Sequence, residues 1–194
     1  MTSPKLLAFS GSLRRDSFNK KLVQIAANGA RNAGAEVTYI NLQDYPMPVY
    51  DQDWFDQNGF PDTVLKLKQL MKSHDGFLIA SPEYNGSVSG ALKNVIDWTS
   101  RSEAGEAPLA LSCFQGKTAV IMATSPGGLG GLRGLTHLRT ILEGIGVLVL
   151  PQQKAVPGAI QLFDQSGQLL DEQQQAAIQD LGKILATTTA KLIA

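Results

Sequence analysis

A chain of 194 residues is long enough for one α/β domain that buries roughly 70% of its unfolded surface, and its 17 Lys plus Arg balance its 17 Asp plus Glu. Zero net charge excludes a broad attraction to nucleic acid or an anionic membrane, so any anion site must be local. The single cysteine, Cys113, excludes an internal disulfide framework, and the apolar runs are too short for a signal-peptide core or a membrane span, so the expectation is one cytoplasmic domain over residues 1–194.

Taken in order, the chain alternates short aliphatic runs with segments of helical period. Lys5 to Ser10 reads as a strand, and the stripe Leu22, Ala26, Ala30, Ala33 as a helix with Ser17 as N-cap candidate and Gly34 near its end. A second strand over Glu36 to Asn41 leads into a long aromatic and acidic loop, Leu42 to Pro61. Asp62 then opens a helix on Val64, Leu67 and Met71, a third strand runs from Asp75 to Ala80, and Leu92, Val95, Ile96 and Thr99 mark the third helix. Thr118 to Thr124 is the fourth strand, Leu135, Leu138, Leu142 and Ile145 the fourth helix between glycines, and Val147 to Leu150 the fifth strand. Phe163 to Gly167 has the composition of a hairpin turn. After Asp171, the series Ala177, Leu181, Ile184, Thr188, Leu192 reads as a last helix. Five such units predict a parallel sheet covered on both faces.

In an open parallel sheet, ligands bind beyond the carboxyl ends of the strands where strand order reverses, which selects the loops after strands one, three and four. The first loop, Ser10-Gly11-Ser12-Leu13-Arg14-Arg15-Asp16-Ser17-Phe18-Asn19, enters a helix with hydroxyl, amide and guanidinium donors, a set suited to a phosphate. Ordinary capping explains the serines and Asn19 but not the two arginines. The second loop, Ser81-Pro82-Glu83-Tyr84-Asn85-Gly86-Ser87, offers a planar ligand an aromatic wall and backbone N–H groups; its bland alternative is a β-turn with an incidental tyrosine. The third, Thr124 to Gly131, carries Ser125 and four glycines that serve either close backbone approach or a hinge.

Other motifs fail. Gly116-Lys117-Thr118 lacks the first Walker glycine, since Leu111 stands there, and Gly128-Leu129-Gly130 has Arg133 where a dinucleotide fingerprint needs its third glycine. Cys113 has no arginine behind it as a phosphatase loop would, and reads as a small buried group. His74 and His137 form no metal pair and receive no function.

Gly-Ser-Leu-Arg-x-x-Ser-x-Asn at Gly11 to Asn19, Ser-Pro-Glu-Tyr-Asn-Gly-Ser at Ser81 to Ser87 and Asn94-x-x-Asp97-Trp98 together resemble the NADPH-dependent FMN reductase family, nearly end to end. The resemblance implies a flavodoxin-like, doubly wound five-stranded sheet in the order 2-1-3-4-5. It implies FMN as cofactor and NADPH or NADH as co-substrate. The acceptor would be a quinone or similar small electrophile such as an azo dye, chromate or free flavin. Ser12, Arg14, Ser17 and Asn19 would hold the phosphate, with Leu13 and Phe18 beside them. Pro82, Glu83, Tyr84 and Asn85 would line the isoalloxazine, Gly86 would add a backbone N–H, and Ser125 would sit near the ribityl chain or ring. No side chain need be catalytic, and nucleotide and acceptor would use one flavin face in turn. An electron carrier without NAD(P)H turnover is the alternative. Trp54, Phe55 and Phe60 are either a satellite cluster or a lid over the flavin. Trp98 packs either in the core or against another subunit, and its place on a wide apolar arc, with Arg101 at the helix end, leads to the expectation of a homodimer or homotetramer with Trp98 buried between chains.

Overall fold

The computed structural model describes residues 3–194. Five strands form one parallel sheet: β1 (Lys5–Ser10), β2 (Glu36–Tyr39), β3 (Gly76–Ala80), β6 (Thr118–Thr124) and β7 (Leu148–Val156), in spatial order β2-β1-β3-β6-β7. This is the predicted flavodoxin-like order. Side chains alternate across the sheet, as strand geometry requires. Leu7, Phe9, Phe77, Ile79, Ile121 and Ala123 face α3 (Asp62–Lys72), α4 (Gly90–Thr99) and α5 (Leu132–Gly144). Leu6, Ala8, Leu78, Val120 and Met122 face α1 (Phe18–Asn32) and α6 (Glu172–Leu192). Every residue of β3 and β6 is buried, which is why these strands read as continuous apolar runs.

Four expectations are corrected. The fifth strand does not stop at Leu150. Pro151, which ended the reading, sits in an irregularity of the edge strand where Val149 pairs with Ala119 and Gln153 with Ile121, so its missing N–H costs no ladder bond. Arg139 of α5 secures this bulge by donating to the carbonyls of Val149 and Leu150, at 3.1 and 2.8 Å, and to Gln153 Oε1. The second strand ends at Tyr39, because Asn41 instead accepts the Gln43 N–H and starts a 3-10 turn over Leu42–Asp44. The buried face of α6 is Ile178, Leu181, Gly182, Leu185, Ala186 and Thr189, about one residue rotated from the predicted stripe.

The fourth correction concerns Trp98, which is fully buried by its own chain. The segment between β2 and α3 contains a short helix, α2 (Gln52–Asn58), whose Trp54 and Phe55, with Tyr50 and Phe60, surround the Trp98 ring at centroid distances of 5.0 to 6.3 Å. Its indole N–H donates to Pro48 O at 2.8 Å, and Asn94 both donates to Pro48 O and accepts from Tyr50 N. The aromatic loop is therefore a satellite cluster seated on α4, and the Asn94-x-x-Asp97-Trp98 spacing places two of its anchors one helical turn apart. Cys113 is buried, its thiol donates to Lys68 O at 3.8 Å, and burial pushes its pKa up.

The tightest approach lies between α1 and α6. A Cβ on Gly182 would fall 1.8 Å from Ala26 O, so only glycine lets these helices cross there. We expect Gly182→Ala to cost about 3 kcal/mol, the upper end of overpacking, read as a lowered urea midpoint; an unchanged midpoint would show that the helices part freely.

Candidate functional site

Three loops at the carboxyl ends of β1, β3 and β6 meet in a cleft of about 130 Å³ lined by Ser12, Arg14, Ser17, Phe18, Asn19, Pro82, Glu83, Tyr84, Thr124, Ser125 and Pro126. Nine of these were singled out in the sequence. Leu13 is turned away, and Asn85 and Gly86 lie outside the cleft walls. Thr124 and Pro126 were missed; they flank Ser125 in a loop already selected by its place after a strand, and that adjacency was the available signal.

The first loop is wound by its own hydroxyls: Ser10 Oγ accepts from Ser12 N, and Ser12 Oγ from Arg14 N. Ser17 occupies the N-cap of α1, yet its hydroxyl caps no N–H, and the first turn has no acidic residue. The positive end of α1 is thus left for an external anion. The Arg14 guanidinium lies 5.3 Å from the Phe18 ring centroid, while Arg15 turns outward to an exposed pair with Asp16, worth little. Phe18 is itself held by stacking on Phe163 at 5.8 Å, from the predicted hairpin turn. That turn closes with Asp164 N donating to Gln168 O.

Asn19 has a different task from the one expected. Its amide donates to Thr124 O at 2.9 Å and its carbonyl accepts from Thr124 N at 3.0 Å, so the side chain joins the first loop to the third. One amide N–H remains uncommitted. A second clamp joins the first loop to the second, as Ser89 Oγ donates to Gly11 O and accepts from Leu92 N at the start of α4.

The second loop is a miniature hairpin of β4 (Glu83–Tyr84) and β5 (Ser87–Val88). Asn85 and Gly86 at its tip have φ of +53° and +78°, the left-handed pair that a two-residue hairpin turn requires and that Asn-Gly tolerates best. The turn reading holds, and the turn projects Tyr84, 54% exposed, at the cleft. The Glu83 carboxylate faces α5, where it accepts from Arg133 Nε at 3.0 Å, Arg133 Nη2 at 2.8 Å and Gly134 N at 3.0 Å. The Gly134 N–H and then Arg133 hold its pKa below the ordinary carboxylate value, which favours the charged form. His74 is spent on Leu70 O and Thr38, and His137 contacts Ser87 from α5.

A larger cavity of about 390 Å³ lies beyond Leu13, between Leu42–Met47 and the start of α4. Its walls carry the polar side chains of Gln43, Tyr45 and Asn94 among apolar ones but no charged side chain to meet a phosphate. Volume alone favours that cavity; the donors favour the smaller cleft.

The profile described as NADPH-dependent FMN reductase matches residues 4–161. An NAD(P)H-dependent FMN reductase of Pseudomonas aeruginosa is 36% identical over 176 residues, covering 90% of this chain and 89% of that protein. A quinone reductase of Escherichia coli K12 is 37% identical over 171 residues, covering 87% and 86%. Among solved structures, the flavoenzyme FerB, an NAD(P)H:(acceptor) oxidoreductase from Paracoccus denitrificans, superposes with a TM-score of 0.77 at 27% identity over 97% of this chain and 98% of FerB.

We expect Asn19→Ala to destabilise the fold by about 2 kcal/mol, because it strands the buried N–H and C=O of Thr124. Chemical denaturation measures this, and an unchanged midpoint would mean that the third loop is held without the clamp.

Proposed function

The chain belongs to the NADPH-dependent FMN reductase family, an oxidoreductase that uses FMN and NAD(P)H, and we propose that FMN sits in the three-loop cleft and that the acceptor is a small quinone. The observation that carries this reading is the uncapped, acid-free start of α1 inside a cleft that also holds Ser12 and Arg14. Hydroxyls, a guanidinium and helix N–H groups are the donor set of a phosphate monoester site. Ser12, Arg14 and Ser17 would take the phosphate directly, with Asn19 contributing its one free N–H while it holds the third loop. Pro82 and Tyr84 would flank the ring, and Ser125 would lie beside the ribityl chain or ring. The N–H groups at the Asn85-Gly86 tip would stabilise negative charge on the reduced cofactor.

When bound, FMN supplies the redox chemistry, taking two electrons and a proton from NAD(P)H and passing two electrons to the acceptor. The protein positions, shields and biases. Glu83 is a weak base, its pKa held below the ordinary carboxylate value by the Gly134 N–H and then by Arg133, and the reaction requires no general base. With one exposed flavin face beside Tyr84, nucleotide and acceptor would occupy it in turn. We further propose cytoplasmic residence and assembly into a homodimer or homotetramer, supported by the family resemblance; among the described residues no helix is long and apolar enough to cross a membrane. The buried Trp98 is not the contact between copies.

Apoprotein should bind FMN and discriminate against riboflavin, and Arg14→Ala should weaken FMN binding by about ten- to a hundredfold, the loss of a charged hydrogen bond of roughly 1.5 to 3 kcal/mol. Fluorescence titration reads both, and equal affinity for the two flavins would overturn the phosphate site. Double-reciprocal plots for NAD(P)H and a quinone should give parallel lines, whereas intersecting lines would require a separate nucleotide site.

A further inference from the structure

Glu83 and Arg14 are the only charged residues that line the cleft among those described. The Glu83 side chain is 9% exposed, and its charge is met by one partner charge, Arg133, whose own side chain is 65% exposed. The Gly134 N–H completes the grip at the N-terminus of α5. A carboxylate in a partly dry wall acts on a neighbouring charge more strongly than one in water, and the guanidinium beside it cancels most of that field. Reduction loads a flavin with negative charge, so the balance of this pair bears on how readily the cofactor accepts electrons.

We propose that Arg133 tunes the redox potential of the bound cofactor by neutralising Glu83. It is a positioning and charge-balancing residue acting through Glu83. The proposal rests on FMN occupying the cleft. The arrangement has two separable components: the hydrogen bonds that dock the β4–β5 hairpin on α5, and the charge. Removing Arg133 leaves the carboxylate on the Gly134 N–H and removing Glu83 breaks all three contacts, and the two removals leave opposite charges behind.

The test is the midpoint potential of the FMN-loaded protein, followed by absorbance during reductive titration, in the wild type, Arg133→Gln, Glu83→Gln, Arg133→Lys and the double variant Glu83→Gln/Arg133→Gln. Arg133→Gln leaves the carboxylate unbalanced and should lower the potential, read also as a several-fold loss of affinity for reduced relative to oxidised FMN. Glu83→Gln leaves the guanidinium unbalanced and should raise it. Arg133→Lys keeps the charge without the fork and should stay near wild type, as should the double variant. Shifts of the same sign in both single Gln variants, or none in either, would assign the pair a structural role and overturn the proposal with the cofactor reading intact. If Glu83→Gln does not fold, Arg133→Gln against Arg133→Lys decides: equal potentials overturn it. A wild-type protein that takes up no FMN overturns both this inference and the function on which it rests.

Discussion

The site depends on a closed set of side-chain clamps that fix three loops relative to one another. Asn19 ties the first loop to the third through both backbone groups of Thr124. Ser89 ties the first to the segment following the second. Glu83 ties the second to the helix that follows the third, through Arg133 and Gly134. Loops on a sheet edge are ordinarily the mobile part of such a fold. Here the buried or half-buried side chains of Asn19, Ser89 and Glu83 find their partners on another loop or on α5, so contacts within the chain hold the cleft. Preorganisation of this kind lets binding proceed without a large ordering cost.

The clamps also divide the polar residues of the two motifs into those that hold the site and those left free to meet a ligand. Asn19, Glu83 and Ser89 are committed within the chain. Ser17, Arg14 and the first N–H groups of α1 are not. The loop's one acid, Asp16, pairs outward with Arg15, while the protein neutralises its acidic wall residue with Arg133 and leaves its positive helix end open. The larger apolar cavity beyond Leu13 has the reverse character, with volume but no such donors.

Much of this was legible in the sequence, and the exceptions have physical causes. Strand runs buried on both faces announce themselves, so β1, β3 and β6 and the three loops after them could be placed from composition. Pro151 misled because a proline reads as a strand terminator unless one knows that it lies at an edge bulge pinned by Arg139. The face of α6 was misread because that helix packs on both α1 and the sheet, and Gly182, silent in an apolar stripe, marks the closest contact. Trp98 looked like a surface residue because its cover, Tyr50 to Phe60, is distant in sequence and joins it only through contacts made in the folded chain. The two motifs drew attention to Asn19 and Glu83 but could not show that their polar atoms face the protein.

Amide hydrogen exchange of the apoprotein with and without FMN tests the central claim most directly, because it separates the two cavities by sequence position. The account predicts new protection at Ser12 to Asn19, at Glu83 to Gly86 and around Thr124 to Ser125, with Leu42 to Met47 unaffected. Protection confined to Leu42 to Met47 and the start of α4, with the three loops unchanged, would contradict it.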